Sequence, residues 1–275
     1  MLTKDIFIFQ SSIWQTNSVV MLNKAANVTV DPAYFPAEIQ VIADFAARKR
    51  SFSKYVAFTH TDFDHIVGHQ PFRDARKIAH ENIMHCDREG QLLQLKEIDD
   101  TYYVRRQVPF EFPEADITFK DEFTLPLKED TLLFYHAPGH TADSIFIVSP
   151  AKKVLIAGDY LSDLEFPFIY HNSSEYMDTL DLAARLTETY DLEFIVPGHG
   201  EPGGTKAELL GRIGRDKDYV GELMERVREY LLQGLQEHEI LEVMKEMDYG
   251  NERITGMMIK MHLENVRLVV RELFG

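Results

Sequence analysis

Short apolar runs, separated by polar residues, proline or glycine, recur along the first 200 residues. Runs rich in β-branched and aromatic residues predict strands, and apolar residues three or four positions apart predict helices. Because strands and helices are interspersed without strict alternation, the pattern favours an α/β sandwich. The predicted strands cover residues 5–9, 17–22, 27–30, 54–58, 132–136, 144–148, 154–157 and 194–196, and the predicted helices cover 36–50, 81–95 and 177–187.

The pattern changes after Gly204, and beyond it only helical spacing is visible. Two apolar stripes carry this spacing: Val220, Leu223, Met224, Val227, Tyr230 and Leu231 form the first, and Ile254, Met258, Met261, Val269 and Leu273 form the second. We therefore divide the chain into a domain at residues 1–204 and a C-terminal helical extension at 205–275. Met257, Met258 and Met261 favour packing between helices, with a lid or a homodimer contact as the alternative.

The amino-acid composition argues against several classes of function. The 275 residues carry 29 Lys and Arg against 45 Asp and Glu, which gives a formal net charge of −16. This acidity argues against a general binder of nucleic acid or anionic membranes, because binding phosphate needs a basic surface. No uncharged apolar run approaches the ~18 residues of a membrane span, and the apolar start carries Lys4 and Asp5. With Cys86 as the only cysteine, we expect a cytoplasmic protein.

The strongest chemical signal is the segment His60-Thr61-Asp62-Phe63-Asp64-His65, which follows the apolar run at 55–58. A strand turns alternate side chains to one face, so His60, Asp62 and Asp64 would converge if the chain stayed extended. A turn would then bring in His65. The alternative interpretation is a polar loop with solvated histidines.

Three further strand ends carry the same residue types beside glycine. They are Pro138-Gly139-His140-Thr141, Ala157-Gly158-Asp159 and Val196-Pro197-Gly198-His199-Gly200. Glycine lets the backbone turn sharply and leaves the neighbouring side chain unobstructed. Four strand ends that all supply metal-ligand residue types favour a metal site over a set of ordinary turns.

Residues 5–204 resemble the metallo-β-lactamase superfamily, the metallohydrolases that include glyoxalase II-like thioesterases and N-acyl homoserine lactonases. His60, Asp64 and His65 match the H-x-H-x-D-H motif of that family, and the later ligand positions follow in order. The resemblance implies an α/β fold, an αββα sandwich of two mixed β-sheets flanked by helices. It also implies one metal held by His60, Asp62 and His140, a second held by Asp64, His65 and His199, and Asp159 as the bridge, with Asp64 serving in catalysis.

Position 62 departs from the family pattern, since most members carry histidine there. Counting two divalent ions, three aspartates and a bridging hydroxide, the net charge is roughly 0, against roughly +1 for the histidine version. A less positive site acidifies its water less and accepts Mn²⁺ or iron more readily, although Zn²⁺ remains the first expectation. A flavin-partnered di-iron branch of the family has glutamate there, but its appended flavodoxin domain has no room in this chain.

The resemblance implies a dinuclear hydrolase whose metal-bridged hydroxide attacks a small ester, thioester or lactone. No serine or cysteine nucleophile is needed, so we place Ser144 at a strand start and Cys86 in a helix. The alternatives are an iron-binding redox or oxygen-handling protein, a phosphodiesterase or nuclease, and a non-catalytic binding protein of the same fold. We expect a small-molecule substrate and no nucleic-acid or membrane partner.

Several residues near these motifs allow two interpretations. Asp31 either orients a ligand histidine or forms an Asp-Pro turn, and Thr59 favours packing. One cluster either lines a substrate mouth or forms a half-buried strand with a basic edge: Tyr102, Tyr103, Arg105 and Arg106. A second group forms either a pocket wall or part of the core: Phe166, Phe168 and Tyr170.

Overall fold

Two β-sheets packed face to face form the centre of the protein. The computed structural model describes residues 3, 5–23, 25–49, 51–128 and 130–274. Lys4, the last position of the helix predicted at 36–50 and the final residue of the extension lie outside these ranges. The strands are β1 (Ile6–Gln10), β2 (Asn17–Leu22), β3 (Ala26–Val30), β4 (Ser53–Ala57), β5 (Arg76–His80), β6 (Ile117–Phe119), β7 (Glu122–Leu127), β8 (Asp130–His136), β9 (Ile145–Ser149), β10 (Val154–Gly158), β11 (Phe194–Pro197), β12 (Asp248–Tyr249) and β13 (Glu252–Arg253).

Both large sheets are mixed. Within the described ranges, the first sheet has the order β1-β2-β3-β4-β5-β6, and β3 to β6 run parallel. The second has the order β11-β10-β9-β8-β7, with a parallel pair only between β10 and β11. Parallel neighbours bring successive carboxyl ends to one edge of a sheet, which is where the motif residues follow β4, β10 and β11.

The helices cover the outer faces of both sheets. Alternation along β2 shows the layers, because Val19 and Met21 pack between the sheets while Val20 and Leu22 pack toward the first helix. The result is the predicted αββα sandwich. The helices are α1 (Pro36–Ala47), α2 (Phe63–Ile66), α3 (Arg88–Thr101), α4 (Ser173–Thr189), α5 (Lys206–Leu232), α6 (Glu237–Met244) and α7 (Met257–Phe274).

The C-terminal helices pack on the outer face of the second sheet. Leu223 in α5, Ile240 in α6 and Val266 in α7 share one apolar cluster with Leu180 in α4 and Leu155 in β10. The extension therefore continues the core of the preceding residues. The division of the chain at residue 204 stays a prediction. Met258 and Met261 pack against this cluster, whereas Met257 is exposed.

Two predicted elements were wrong in position or type. The helix predicted at 81–95 is a short 3₁₀ turn at Glu81–His85 followed by α3, because the Asp87 side chain accepts the Gly90 N–H and starts a new helix. Cys86 lies between the two and not in a helix. In the extension, β12 and β13 form a hairpin, since Gly250 adopts a positive φ and allows the turn.

The segment after α3 forms no strand. Tyr103 adopts a φ of 55° and is exposed, and Arg105 is also exposed. Arg106 instead forms a bidentate ion pair with Asp99, which holds the loop against α3. The interpretation of this cluster, Tyr102, Tyr103, Arg105 and Arg106, as a half-buried strand is therefore wrong, and its contact with substrate stays a prediction.

None of the helices in the described ranges is long and apolar enough to cross a membrane. The amphipathic faces of the longer helices are accounted for by the core clusters described above.

The layer between the two sheets gives the first testable prediction. Phe134 in β8 is fully buried among Phe119 and Phe123, so Phe134→Ala leaves a cavity and lowers the free energy of unfolding by about 3–5 kcal/mol. Phe52→Ala is the control, because Phe52 is 98% exposed and its loss changes stability by no more than about 0.5 kcal/mol. Urea unfolding of both variants measures the difference, and equal effects would contradict the sandwich core.

Candidate metal centre

The seven candidate ligands lie together where the two sheets meet. His60 follows β4 of the first sheet, and His140, Asp159 and His199 follow β8, β10 and β11 of the second. Asp62 immediately precedes α2, and Asp64 and His65 lie within it. The prediction that the chain stays extended through His60, Asp62 and Asp64 is therefore wrong, because α2 begins at Phe63. A helical turn, not a strand, brings Asp64 and His65 to the same side as Asp62.

The donor atoms form two adjacent groups among the described residues. His60, Asp62, His140 and Asp159 make one group, and Asp64, His65 and His199 make the other. Within the first group, Asp159 Oδ2 lies 3.6 Å from His60 Nε2 and 3.5 Å from His140 Nε2. Donor atoms around a tetrahedral Zn²⁺ with bonds of ~2.0–2.1 Å lie about 3.3–3.4 Å apart. The spacing of the first group is thus close to what such an ion requires.

The second group has similar spacing and shares Asp159 with the first. His199 Nε2 lies 3.3 Å from Asp64 Oδ2 and 3.4 Å from Asp159 Oδ2. His65 Nε2 lies 3.0 Å from Asp159 Oδ1. Asp159 therefore directs one or both oxygens to each group, which is the arrangement expected of a bridging carboxylate.

The hydrogen bonds of two histidines fit a site for cations. The His140 Nδ1 atom faces the Phe168 carbonyl at 2.8 Å, and the His199 Nδ1 atom faces the Trp14 carbonyl at 3.0 Å. A carbonyl oxygen only accepts, so each Nδ1 carries a hydrogen and each Nε2 of the neutral ring presents a lone pair. The Nε2 atoms of His60 and His140 are buried with no hydrogen-bond partner in the described residues. Two inward lone pairs without partners fit metal ions.

Asp31 supports two of these histidines at once. Its Oδ2 atom accepts from His65 Nδ1 at 3.0 Å and from the Thr59 hydroxyl. The Thr59 Oγ1 atom in turn lies 3.1 Å from His60 Nδ1 and accepts its hydrogen. Asp31 therefore orients a histidine in each group and does more than form a turn. Thr59 acts as the link between them and not only as packing.

Position 198 must be glycine, because Asp159 and His65 pack directly against its backbone. A Cβ atom at this position would lie 2.1 Å from Asp159 Oδ1 and 2.9 Å from His65 Cε1. Any side chain would displace Asp159 from its position between the groups. The glycine beside His199 therefore serves close approach, in addition to the backbone freedom that the sequence indicated.

The charges of the site explain the shifted pKa values of its groups. Burial favours the neutral ring of His65, but the charges of Asp159 and Asp64 outweigh burial and raise its pKa to about 9. Burial is likewise outweighed at His60, whose pKa is raised by Asp159 and Asp62, and at His199, whose pKa is raised by Asp159 and Asp64. Burial would raise the pKa of Asp62, yet contacts with His140 and His60 hold it well below its usual range. Without metal, protons on His60, His65 and His199 offset part of the carboxylate charge.

Three residues near the site lie outside the predicted ligand set. Gln91 in α3 donates to Asp62 Oδ1 at 2.8 Å. Burial raises the pKa of the Glu165 carboxyl to about 7, with His199 opposing and Asp159 and Asp64 adding to the shift. Tyr170 places its ring 5.0 Å from the His140 ring. Sequence reasoning missed Gln91 and Glu165, because neither belongs to a motif, and it considered Tyr170 only as part of a pocket wall.

The other members of that predicted wall behave differently. Phe166 is buried in the core cluster of the second sheet, and Phe168 packs against it. The carbonyl of Phe168 nevertheless orients His140, as described above. The core interpretation is confirmed for Phe166, and the site interpretation applies to Tyr170.

A family model extends across the motifs and the fold just described. The model of the metallo-beta-lactamase superfamily matches residues 12–199, more than half of the 275-residue chain. The chain belongs to the metallo-β-lactamase superfamily. Members of this superfamily are mostly hydrolases and typically bind divalent metals. The predicted resemblance and fold class are therefore confirmed.

Two curated proteins are similar to this member of the superfamily. Acyl-coenzyme A thioesterase MBLAC2 of Bos taurus and that of Homo sapiens are each 27% identical to it over 165 residues. The match covers 56% of this chain and 58% of each relative. The chain thus spans less than two thirds of the relatives' length.

Solved structures of the superfamily have the same fold. The sec-alkylsulfatase Pisa1 from Pseudomonas sp. superimposes with a TM-score of 0.76 at 13% identity, over 100% of this chain and 50% of that one. A metallo-beta-lactamase family protein from Thermus thermophilus gives a TM-score of 0.68 at 15% identity, over 100% of this chain and 95% of that one. At these identities the likeness shows the fold alone.

The raised histidine pKa values predict how the metal-free protein responds to pH. Because the pKa of His65 rises from 6.5 to about 9 on folding, proton binding stabilises the metal-free fold fully below pH 6.5. This stabilisation is lost as the pH rises through about 9. Thermal unfolding of chelator-treated protein should therefore show a midpoint that falls over this range. The metal-loaded protein should show a smaller fall, and parallel curves for the two forms would contradict the assignment.

Asp31 gives a prediction about metal affinity. Asp31→Asn keeps the size of the side chain but removes the charge that fixes the tautomer of His65, so metal affinity should fall by roughly 10–100-fold. Competition with a chromophoric chelator measures this affinity. Asp44→Asn is the control, because Asp44 lies on the exposed face of α1. Unchanged affinity in Asp31→Asn would reduce Asp31 to a turn residue.

Proposed function

We propose that this protein is a dinuclear metal-dependent hydrolase of a small ester, thioester or lactone, with an acyl thioester as the first candidate substrate. One observation carries the proposal. Seven residues from four strand ends and the start of α2 converge in two adjacent groups of donor atoms, and His140 and His199 turn their Nε2 atoms inward. Carboxylates brought together in this way need positive charge to compensate them, and divalent cations would supply that charge.

Each group would hold one ion. His60, Asp62 and His140 would hold the first, Asp64, His65 and His199 would hold the second, and Asp159 would contact both. Divalent ions bound there would supply Lewis-acid chemistry, acidifying a water molecule and polarising a carbonyl group. Zn²⁺ suits the four imidazoles, while the three carboxylates extend the choice to Mn²⁺ or iron.

The residues of the chain contribute orientation and charge. Asp31 and Thr59 fix the rings of His65 and His60, so these ligands need no reorganisation during a reaction. The Asp64 Oδ2 atom lies 3.6 Å from His65 Nε2 and 3.3 Å from His199 Nε2, and it would contribute to catalysis as the carboxylate ligand of that group. The converging donors of the described residues are histidines and aspartates, with no cysteine among them, which supports attack by water and not by a cysteine thiolate.

Apolar side chains adjoin the ligands and favour a substrate with an apolar part. Tyr170 is exposed beside His140. Leu164 is exposed beside Gly200, whose added Cβ would lie 3.2 Å from the Leu164 Cβ. Trp14 is half-buried next to His199. An acyl chain matches such surroundings better than a highly charged polymer does.

The thioesterase activity named for the bovine and human relatives supports the same substrate class. The sulfatase named among the structural neighbours defines a useful competitor, a secondary alkyl sulfate. The net charge of −16 supports a small-molecule substrate over nucleic acid. A cytoplasmic location, with Cys86 as the single cysteine, and a homodimer complete the proposal.

Elemental analysis and a substrate panel test this function together. The purified protein should contain close to two transition-metal ions per chain and should hydrolyse acyl-CoA thioesters faster than lactones, phosphodiesters or secondary alkyl sulfates. His140→Ala should lose metal and at least about 100-fold in kcat/KM, because one ligand of the first group disappears. His171→Ala is the matched control, since His171 is an exposed histidine paired with Glu175.

The outcomes separate the alternatives. Two ions with phosphodiester cleavage only would favour a nuclease-type enzyme. Iron with oxygen uptake and no hydrolysis would favour a redox protein of the same fold. Metal that cannot be introduced by reconstitution would overturn the proposal in every form.

A further inference from the structure

Gln91 connects α3 to the first group of candidate ligands. Its Nε2 atom donates to Asp62 Oδ1 at 2.8 Å, and its Oε1 atom accepts the backbone N–H of Phe63 at 2.7 Å. A backbone N–H only donates, so the amide oxygen must face Phe63 and the amide nitrogen must face Asp62. The orientation of the Gln91 side chain is therefore fixed by its two partners.

The two carboxylate oxygens of Asp62 have different partners. Oδ1 is occupied by Gln91, whereas Oδ2 lies 3.5 Å from His140 Nε2 and 3.7 Å from His60 Nε2. Asp62 is also the most exposed of the three aspartates in the two groups, with 18% of its side chain accessible against 8% and 9% for Asp64 and Asp159. It is the carboxylate with most freedom to turn away.

The position of Asp62 at the N-terminus of α2 would by itself favour a different side-chain orientation. It occupies the position before α2, where an aspartate usually turns back to accept a backbone N–H of the first helical turn. Here its side chain makes no such hydrogen bond. Gln91 instead satisfies the N–H of Phe63, the first residue of the helix. The amide thus takes over part of the capping and keeps Asp62 turned toward the histidines.

The helix that carries Gln91 is itself held firmly against the site wall. Leu95, one turn later, is buried in a cluster with Phe63 and Tyr34. Asp99, one further turn along, accepts the Tyr34 hydroxyl at 2.9 Å. Residues four positions apart share one helix face, so Gln91, Leu95 and Asp99 together fix that face of α3.

We propose that Gln91 is a positioning residue that holds Asp62 with a single oxygen, Oδ2, directed at His60 and His140, and thereby sets the metal affinity of that group. This role rests on the proposed metal site. The hydrogen bond from Gln91 leaves Asp62 with a single donor atom for the metal group, just as the histidine at this position in most of the family offers a single nitrogen. It also makes residue 62 dependent on a helix that follows later in the chain.

Metal titration of chelator-treated protein tests this role without an assay of activity. Competition of Zn²⁺ with a chromophoric chelator should show two sites in the wild type. Gln91→Leu should weaken one of them by roughly 10–100-fold and leave the other within about twofold. Gln94→Leu is the control, because Gln94 is an exposed glutamine of the same helix. Gln91→Met, which has a similar length and no amide, replaces Gln91→Leu if the leucine variant fails to fold.

A double-mutant comparison separates positioning from general support of α3. In an Asp62→Ala background, Gln91→Leu should cause no further loss of Zn²⁺ affinity, because its effect passes through Asp62. Co²⁺ in the weakened site should also absorb less visible light in Gln91→Leu than in the wild type, since a freed Asp62 can bind through both oxygens and raise the coordination number.

The results distinguish failure of this role from failure of the site. A wild type that takes up no metal overturns the metal centre and the role of Gln91 with it. A wild type with two ions, together with unchanged affinities in Gln91→Leu, overturns only the role of Gln91. An equal loss of affinity in the Asp62→Ala background overturns it as well, because the effect would then not depend on Asp62.

Discussion

Buried negative charge is the constraint on which the rest of this structure depends. Asp62, Asp64 and Asp159 converge at the junction of the sheets, and Asp31 lies directly behind them. In the described residues, no lysine or arginine forms an ion pair with any of the four. Removing such charges from water costs several kcal/mol each unless they are compensated. The histidines compensate them only when protonated, so the fold requires either protons or metal ions at this point.

Backbone hydrogen bonds join the two sheets beside these aspartates. The Ile145 N–H of the second sheet donates to the Thr59 carbonyl beside His60, and the Asn17 N–H of the first sheet donates to the Gly198 carbonyl beside His199. Each bond ties a ligand-bearing turn of one sheet to the other sheet. The distance between the two ligand groups is therefore determined by sheet packing as well as by the loops. The C-terminal helices support the second sheet from its outer face and reach the site only indirectly.

Features that depend on neighbouring residues in the chain could be predicted, and features that depend on distant contacts could not. The strands before Asp159 and His199 were predicted, because short β-branched runs end there in glycine or proline, and the strand before His60 was predicted from its apolar run alone. The start of α3 was missed because a single capping aspartate decides it. Gln91 and Glu165 carry no motif, and they join the site only because α3 and the segment after Asp159 pack beside it. The role of Asp31 is an intermediate case. Its position before Pro32 was compatible both with orienting a histidine and with a simple turn, and only the contact with His65 distinguishes the two.

The aspartate at position 62 can now be understood together with its partner. A full anionic charge there would lower the net charge of the loaded site by one relative to a histidine. The hydrogen bond from Gln91 to Oδ1 stabilises part of that charge away from the ligand oxygen. Asp62 would therefore present a weaker anion to the first group than Asp159, since the ion-pair partners of Asp159 in the described residues are all histidines. The two groups consequently differ in donor strength as well as in composition, and that asymmetry originates in a helix outside the ligand motifs.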